Sequence, residues 1–150
     1  MLKYEKNGFR GGEWALRNVY TIDQFEVLHN VFYFILNESK QQIQMQAAGQ
    51  VIVDSEDAAF IYIVEEDGVY SYLRFTENMW PQLVEIVKAE CNPFLRVADG
   101  QIQLTNFFEE LHMLLFNIEG NDNYGETFVT SIEKVFAEIS ATLKIDVQCK

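Results

Sequence analysis

The sequence predicts an α+β fold in which an antiparallel β-meander of four to six strands is covered on one face by about three C-terminal helices. Residues 31–75 consist of short apolar or alternating runs separated by turn residues, which is typical of β-strands. Residues 79–143 instead carry apolar side chains at helical spacing in three segments. Because the strands precede the helices rather than alternating with them, the pattern favours the α+β class.

The N-terminal 20 residues differ in charge from the rest of the chain. They carry four basic and two acidic side chains, whereas the whole chain of 150 residues has a formal net charge of −12. Three glycines also interrupt any regular pattern there. We therefore divide the chain into a basic N-terminal arm at residues 1–20 and a single α+β domain at residues 21–150, a common size for one domain.

The strands of the meander follow from local patterns. Residues 31–36 are continuously apolar, and residues 42–47 alternate strictly, with Ile43, Met45 and Ala47 on one face. Residues 51–53 form a short β-branched run, and residues 60–64 are apolar enough for a central strand covered on both faces. Asp67-Gly68 then predicts a hairpin into a strand at 69–75, because both residues tolerate positive φ.

Three helices complete the prediction, with two short strands at 94–97 and 102–104 between the first and the second. The first helix covers residues 79–90 and is capped by Asn78, since Pro81 fits only its first turn. The second runs from a Thr105 cap to Gly120. The third begins near Asn123, and Glu126 completes a capping box.

The residue types required for catalysis or metal binding are present only in unfavourable positions. Cys91 is expected on an apolar helix face, where a thiol is inert, and neither His29 nor His112 lies near it in a recognisable pattern. Residues 54–57 are acidic but lack the pattern of a calcium loop, so a solvated turn is expected. We therefore expect no catalytic, cofactor-binding or metal-binding residues.

Charge and hydropathy limit the partners and the compartment. An acidic body repels phosphate groups, so neither nucleic acid nor a membrane is an expected partner. No apolar leader or membrane-spanning run is found, and the two cysteines suit reduced thiols. The sequence thus predicts a cytoplasmic protein.

Five residues form a candidate interaction surface. Met113 and Phe116 are large apolar groups on an otherwise polar face of the second helix, to be covered either by another element, such as the N-terminal arm, or by another chain. Tyr124 follows this helix and is expected to hold the connecting loop to the sheet. Asn121 and Asn123 are expected to satisfy unpaired backbone groups at the helix ends, with partner binding as the alternative.

Several segments are similar, in order, to a small uncharacterised protein family from Bacillus, Staphylococcus and related Firmicutes. These are residues 51–55, 59–62, Trp80, the run Asn-Ile-Glu-Gly-Asn-Asp-Asn-Tyr-Gly at 117–125, and residues 132–136. The resemblance covers about residues 26–137, and the run at 117–125 is its most specific part. It implies a cytoplasmic bacterial protein and supplies no catalytic residues. Because members of the family are shorter, the arm and the residues after 139 fall outside it.

Three classes of function remain open at this stage. The leading interpretation is a non-enzymatic protein-interaction or regulatory module with an unknown protein partner, a homodimer being one such assembly. The second is an acidic inhibitor that imitates nucleic-acid charge on its partner. The third is a small-molecule binder or enzyme with a pocket between sheet and helices.

Overall fold

The computed structural model describes residues 18–36, 45–66, 68–97 and 100–137. Within these residues the chain forms eight strands and three α-helices. The strands are β1 (Val19–Thr21), β2 (Phe25–Leu28), β3 (Val31–Ile35), β4 (Met45–Asp54), β5 (Ala59–Glu66), β6 (Val69–Phe75), β7 (Phe94–Val97) and β8 (Gly100–Gln103). The helices are α1 (Trp80–Ala89), α2 (Phe107–Ile118) and α3 (Glu126–Val135).

The α+β class is confirmed, but the simple antiparallel meander is wrong. The strands form two mixed sheets of four strands each, in the orders β1-β6-β5-β4 and β2-β3-β7-β8. Only β4, β5 and β6 form an antiparallel meander, whereas β1 runs parallel to β6 and β3 runs parallel to β7. The parallel pairs join strands that are far apart along the chain, so local alternation carries no signal for them.

The first hairpin, β2–β3, was missed because its turn lacks the usual Asn-Gly or Asp-Gly pair. Leu28 pairs with Val31, and the two turn residues, His29 and Asn30, have φ values of 53° and 67°. Two central residues with positive φ match the twist of antiparallel strands. Asn30 in the second position makes this geometry accessible, but the turn is followed directly by the apolar run at 31–36, so the sequence pattern does not mark it as a turn.

A bulge joins what the sequence pattern predicted as two separate strands. Ala47 pairs with Val64 and Gln50 pairs with Ile63, so Ala48 and Gly49 have no partners on β5. An insertion of two residues preserves the alternation, which keeps the odd-numbered side chains of β4 on the core side. The predicted Ile43, and the Asp67 of the predicted turn, lie outside the described residues.

One hydrophobic core receives side chains from both sheets and from all three helices. The prediction of a central strand at 60–64 is confirmed, because β5 lies between β4 and β6 and its Ile61 and Tyr62 are both fully buried on opposite faces. Trp80 is also fully buried, with the rings of Phe60 and Phe136 within 5.7 and 5.9 Å. The core is therefore rich in aromatic rings, as the composition predicted.

The three predicted helices are present, but their N-caps differ from the predictions. α1 follows a 3-10 turn and has Met79 rather than Asn78 at its N-cap. The N-cap of α2 is Asn106 rather than Thr105, and Asn92 Oδ1 accepts the Phe108 N–H from outside the helix, at 3.1 Å. Capping from a distant loop cannot be seen in a local sequence pattern.

The predicted boundary between arm and domain falls inside a strand. Tyr20 belongs to β1 and is buried in the core, and Ile22 donates its N–H to Arg74 O at 2.9 Å. Residues 18–20 are therefore part of the sheet. Residues 1–17, and the predicted extension of the third helix to residue 143, lie outside the described residues.

Candidate functional site

The helix α2 has two chemically different faces. Its inner face packs into the core through Phe107, Leu111 and Ile118, which are 0–2% exposed. On the opposite side, Met113 is 58% exposed and Phe116 is 73% exposed. We call Glu109, His112, Met113, Phe116 and Asn117 the α2 outer face, because helical spacing places these five residues on one side.

Met113 and Phe116 are the most exposed large apolar side chains in the described part of the chain. They are three residues apart, so they project from adjacent turns of the helix. The ring of Phe116 lies 6.2 Å from the His112 ring in an edge-to-face arrangement. Helical spacing sets both residues outside the apolar face of α2, and in the structure both side chains lie at the surface of the described residues.

The connector between α2 and α3 is held together mainly by Asn121. Its Nδ2 donates to Asn117 O at 3.2 Å, and its Oδ1 accepts the Asn123 N–H at 3.0 Å. Asn121 thus satisfies backbone groups at the end of α2 and in the following turn, as its position predicted. The capping box is wrong, because α3 has Gly125 at its N-cap and Asn123 lies in a 3-10 turn.

Tyr124 is directed toward the core rather than fully outward. It is half-buried and packs against the core, with its ring 6.3 Å from that of Phe128 on α3. Gly120 has a φ of 69°, which ends α2, and its N–H donates to Glu133 Oε2 at 3.1 Å. The connector therefore has a defined shape next to the α2 outer face.

A polar contact fixes the start of α2 on the first sheet. The Tyr62 hydroxyl, on the fully buried side chain of β5, donates to Thr105 O at 2.6 Å. Nearby, Gly49 of the bulge faces Asn106, and a Cβ at Gly49 would lie only 3.0 Å from Asn106 Nδ2. Glycine at this position therefore allows the bulge to approach the beginning of the helix closely.

Burial raises the pKa of the Tyr62 phenol above its ordinary value, and the nearby charge of Glu110 adds to the rise. The hydrogen bond to Thr105 and a backbone hydrogen bond to Gly49 act in the opposite direction. Because the folded state favours the neutral phenol, the stability that Tyr62 contributes is present below a pH of about 10 and is lost as the pH rises through the raised pKa.

Tyr62→Phe is therefore expected to lower the free energy of unfolding by about 1–2 kcal/mol at neutral pH, since a buried hydrogen bond is lost. It is also expected to lose less stability than the native protein above a pH of about 10. Urea unfolding at neutral and alkaline pH measures both effects. Tyr33→Phe, on the half-buried Tyr33 ring of the other sheet, is the matched control. Parallel stability curves for the native and Tyr62→Phe proteins at alkaline pH would contradict the assigned role.

Comparison with known proteins identifies the family. The family model described as a family of unknown function, UPF0738, matches residues 20–136. The chain belongs to the UPF0738 family. A UPF0738 protein from Lysinibacillus sphaericus (strain C3-41) is 43% identical over 126 residues, which are 84% of this chain and 99% of the relative. One from Bacillus mycoides (strain KBAB4) is 33% identical over 81% of this chain and 99% of its own. No solved structure matches the chain.

The resemblance to an uncharacterised Firmicute family is thereby confirmed. The matched residues 20–136 span β1 to the end of α3, and they include the α2 outer face and the connector. The names of the UPF0738 relatives specify neither an activity nor a ligand. The function must therefore be argued from the geometry of the site.

A polar cluster that the sequence did not reveal connects β1 to the first sheet of this UPF0738 protein. The Glu66 carboxylate accepts hydrogen bonds from Tyr20 Oη at 2.8 Å, Ser71 Oγ at 2.9 Å and Asn18 Nδ2 at 2.8 Å. Tyr20 and Ser71 are buried. Tyr20, Glu66 and Ser71 come from three different strands, and Asn18 directly precedes β1, so no sequence spacing indicates the cluster.

The acidic turn between β4 and β5 is more buried than predicted. Asp54 is only 4% exposed, and its Oδ1 accepts the Asp57 N–H at 3.4 Å. Burial, followed by the neighbouring Asp57 charge, raises the pKa of Asp54. Asp57 pairs with Arg74 at 3.4 Å. No group of three or more His, Cys, Asp or Glu residues within the described ranges could hold a metal ion.

The predicted burial of Cys91 is wrong. Cys91 is exposed because it follows the end of α1, which has Glu90 in the left-handed conformation as its C-cap. The predicted apolar face thus ends before Cys91. His29 lies in the β2–β3 turn, and His112 lies on α2 beside Phe116.

No helix in the part of the chain that the structure describes is long and apolar enough to cross a membrane.

Proposed function

We propose that this UPF0738 protein is a small non-enzymatic interaction module that binds another protein through the α2 outer face. The observation that carries the proposal is the exposure of Met113 and Phe116 on a helix whose other face is fully packed. A lone exposed apolar residue is ordinary, but two large ones on adjacent turns form a patch that favours contact with another surface.

The energetics call for a contact wider than this pair. Burying Met113 and Phe116 contributes at most roughly 3–6 kcal/mol, at about 1.5–3 kcal/mol for each fully buried side chain. Association costs about 4–15 kcal/mol in lost freedom of motion. We therefore include Asn121, Asn123 and Tyr124 of the connector in the proposed surface, since they follow α2 directly. A contact of this extent suits a regulatory interaction that forms and dissociates readily.

The alternative of a nucleic-acid mimic is less well supported. It requires carboxylates that remain free and cluster on one face. Several carboxylates in the described residues are instead used internally, including Glu26 with Arg96 at 2.9 Å, Asp57 with Arg74, and Glu66 with its three donors. These residues lie on different strands and turns.

The proposal also places the module in the cytoplasm, where an exposed thiol such as that of Cys91 remains reduced.

Replacing both Met113 and Phe116 with Asp is expected to abolish recovery of the partner. A tagged full-length protein and the double variant would be used to capture proteins from a native lysate of the source cells, with quantitative mass spectrometry of the recovered proteins. The two new charges would have to be desolvated at the contact, so we expect at least about a tenfold loss of specific recovery.

The matched control is Val27→Asp with Leu28→Asp, which changes two apolar side chains of 46% and 41% exposure on the β2–β3 hairpin. Thermal unfolding of each variant would verify that the fold is retained. Equal recovery by the native protein and the Met113/Phe116 variant would overturn the proposal. The mass of the protein in solution tests for a homodimer. If the partner is a second copy of this chain, the native protein has the mass of two chains and the Met113/Phe116 variant has the mass of one.

A further inference from the structure

We infer that the partner of the α2 outer face is a cationic amphipathic helix of another protein, an inference that rests on the proposed function. Met113 and Phe116 would pack between the apolar side chains of that helix, and its Lys or Arg residues would lie beside the acidic groups around the pair.

The sequence from Val97 to Glu133, both included, contains no Lys or Arg and has seven carboxylates. This stretch includes all of α2 and the connector. Glu109 and Glu119 are exposed at either end of the α2 outer face. The formally charged residues of α2 and of the connector are therefore all acidic.

Cations elsewhere in the described residues are already engaged with carboxylates. Arg74 pairs with Asp57 at 3.4 Å, Lys88 with Glu85 at 3.8 Å, and Arg96 with Glu26 at 2.9 Å. The remaining cation within the described ranges, Lys134, is in the last turn of α3. The side chains of Glu109 and Glu119 form no hydrogen bond or ion pair with the described part of the chain, so their charge is available to a partner.

Charge also decides between the candidate occupants. Two copies of this chain would bring two bodies of net charge −12 together, with acidic α2 faces opposed. Opposed charges of one sign slow association and disfavour the complex. A cationic helix gains the same apolar contact and an attractive field, and helix ridges spaced three and four residues apart allow close packing alongside α2.

The test uses the full-length protein and a fluorescently labelled helix-forming peptide of Leu and Lys, with Lys on one face. A second peptide with Glu in place of every Lys is the charge control. We expect the Lys peptide to bind the native protein. The double variant Met113→Ser with Phe116→Ser should lower the affinity for this peptide about tenfold or more, and the Glu peptide should bind the native protein at least about tenfold more weakly. Val27→Ser with Leu28→Ser should leave the affinity unchanged.

Glu109→Gln with Glu119→Gln separates the charge contribution from the apolar one. This variant is expected to weaken the Lys peptide several-fold at low ionic strength, and much less at high ionic strength, where surface charges are screened. Three results would overturn the inference: affinity that does not depend on Met113 and Phe116, equal binding of the Glu peptide, or a dimer that dissociates in the Met113/Phe116 variant.

A photo-crosslinking residue at position 116 of the full-length protein tests whether the N-terminal arm of the same chain covers the α2 outer face. Crosslinks to residues 1–17 of the same chain would show that the basic arm occupies this face and would also overturn the inference. The outcomes are distinct from those of the capture experiment. Partner recovery that depends on Met113 and Phe116, combined with peptide binding that ignores charge, would keep the proposed function and reject the cationic helix.

Discussion

Phe107→Ala is expected to lower the free energy of unfolding by about 3–5 kcal/mol, the cost of removing a large buried ring from a packed core. Phe107 is 2% exposed and contacts rings from both sheets. Its ring stacks on Tyr62 at 5.4 Å, meets Phe75 edge-on at 5.5 Å, and lies 6.1 Å from Phe34. Removing it would leave a cavity where α2 joins the two sheets.

Phe116→Ala is the matched control for this prediction, because it makes the same substitution on the same helix at a side chain that is 73% exposed. We expect it to change the stability by less than about 0.5 kcal/mol. Urea unfolding followed by circular dichroism measures both variants. Similar losses at Phe107 and Phe116 would show that Phe116 is packed in solution and would remove the basis for the α2 outer face.

Glu66→Ala is expected to lower the free energy of unfolding by about 2–4 kcal/mol. The substitution removes the carboxylate that accepts hydrogen bonds from the hydroxyls of the buried Tyr20 and Ser71, and a hydrogen bond to a charged group contributes about 1.5–3 kcal/mol. It also removes the acceptor of Asn18 Nδ2, next to β1. Since β1 has only three residues, this side-chain cluster makes a large contribution to holding the strand in the sheet.

The control is Glu65→Ala, one residue earlier on β5, where the side chain lies on the opposite face of the sheet. We expect it to cost less than about 0.5 kcal/mol. Hydrogen exchange provides a local measurement, because the amide of Ile22 donates to Arg74 O and should lose protection in Glu66→Ala before the rest of the sheet. Equal exchange of Ile22 in the two variants would contradict the proposed contribution of Glu66.

The sequence was sufficient for features that depend on local periodicity. The continuous run at 60–64 predicted a central strand, and β5 is that strand. The helical stripe through Phe107, Leu111 and Ile118 predicted the buried face of α2, and it also set Met113 and Phe116 outside that face, although it did not show whether another element covers them. In each of these cases the signal is contained in neighbouring residues.

Features that depend on contacts between distant residues could not be predicted in this way. The pairing of Tyr33 with Phe94 creates the second sheet, yet neither residue carries information about the other. The same applies to Asn92 capping α2, and to Tyr20 and Ser71 meeting on Glu66. The buried Asp54 was missed because its environment, including the Asp57–Arg74 pair, becomes apparent only after folding.

The parallel pairs have a consequence for how the chain folds. The second sheet cannot be completed from the first half of the chain, because β3 requires β7, whereas all four strands of the first sheet lie within residues 19–75. During synthesis, β2 and β3 leave the ribosome well before Leu95 and its neighbours on β7. The aromatic side chains of the β2–β3 hairpin are therefore exposed to solvent until β7 has been synthesised. Such non-local topology favours slow folding, on the scale of milliseconds to seconds. We therefore expect truncation before Phe94 to produce an aggregating fragment rather than a smaller folded domain.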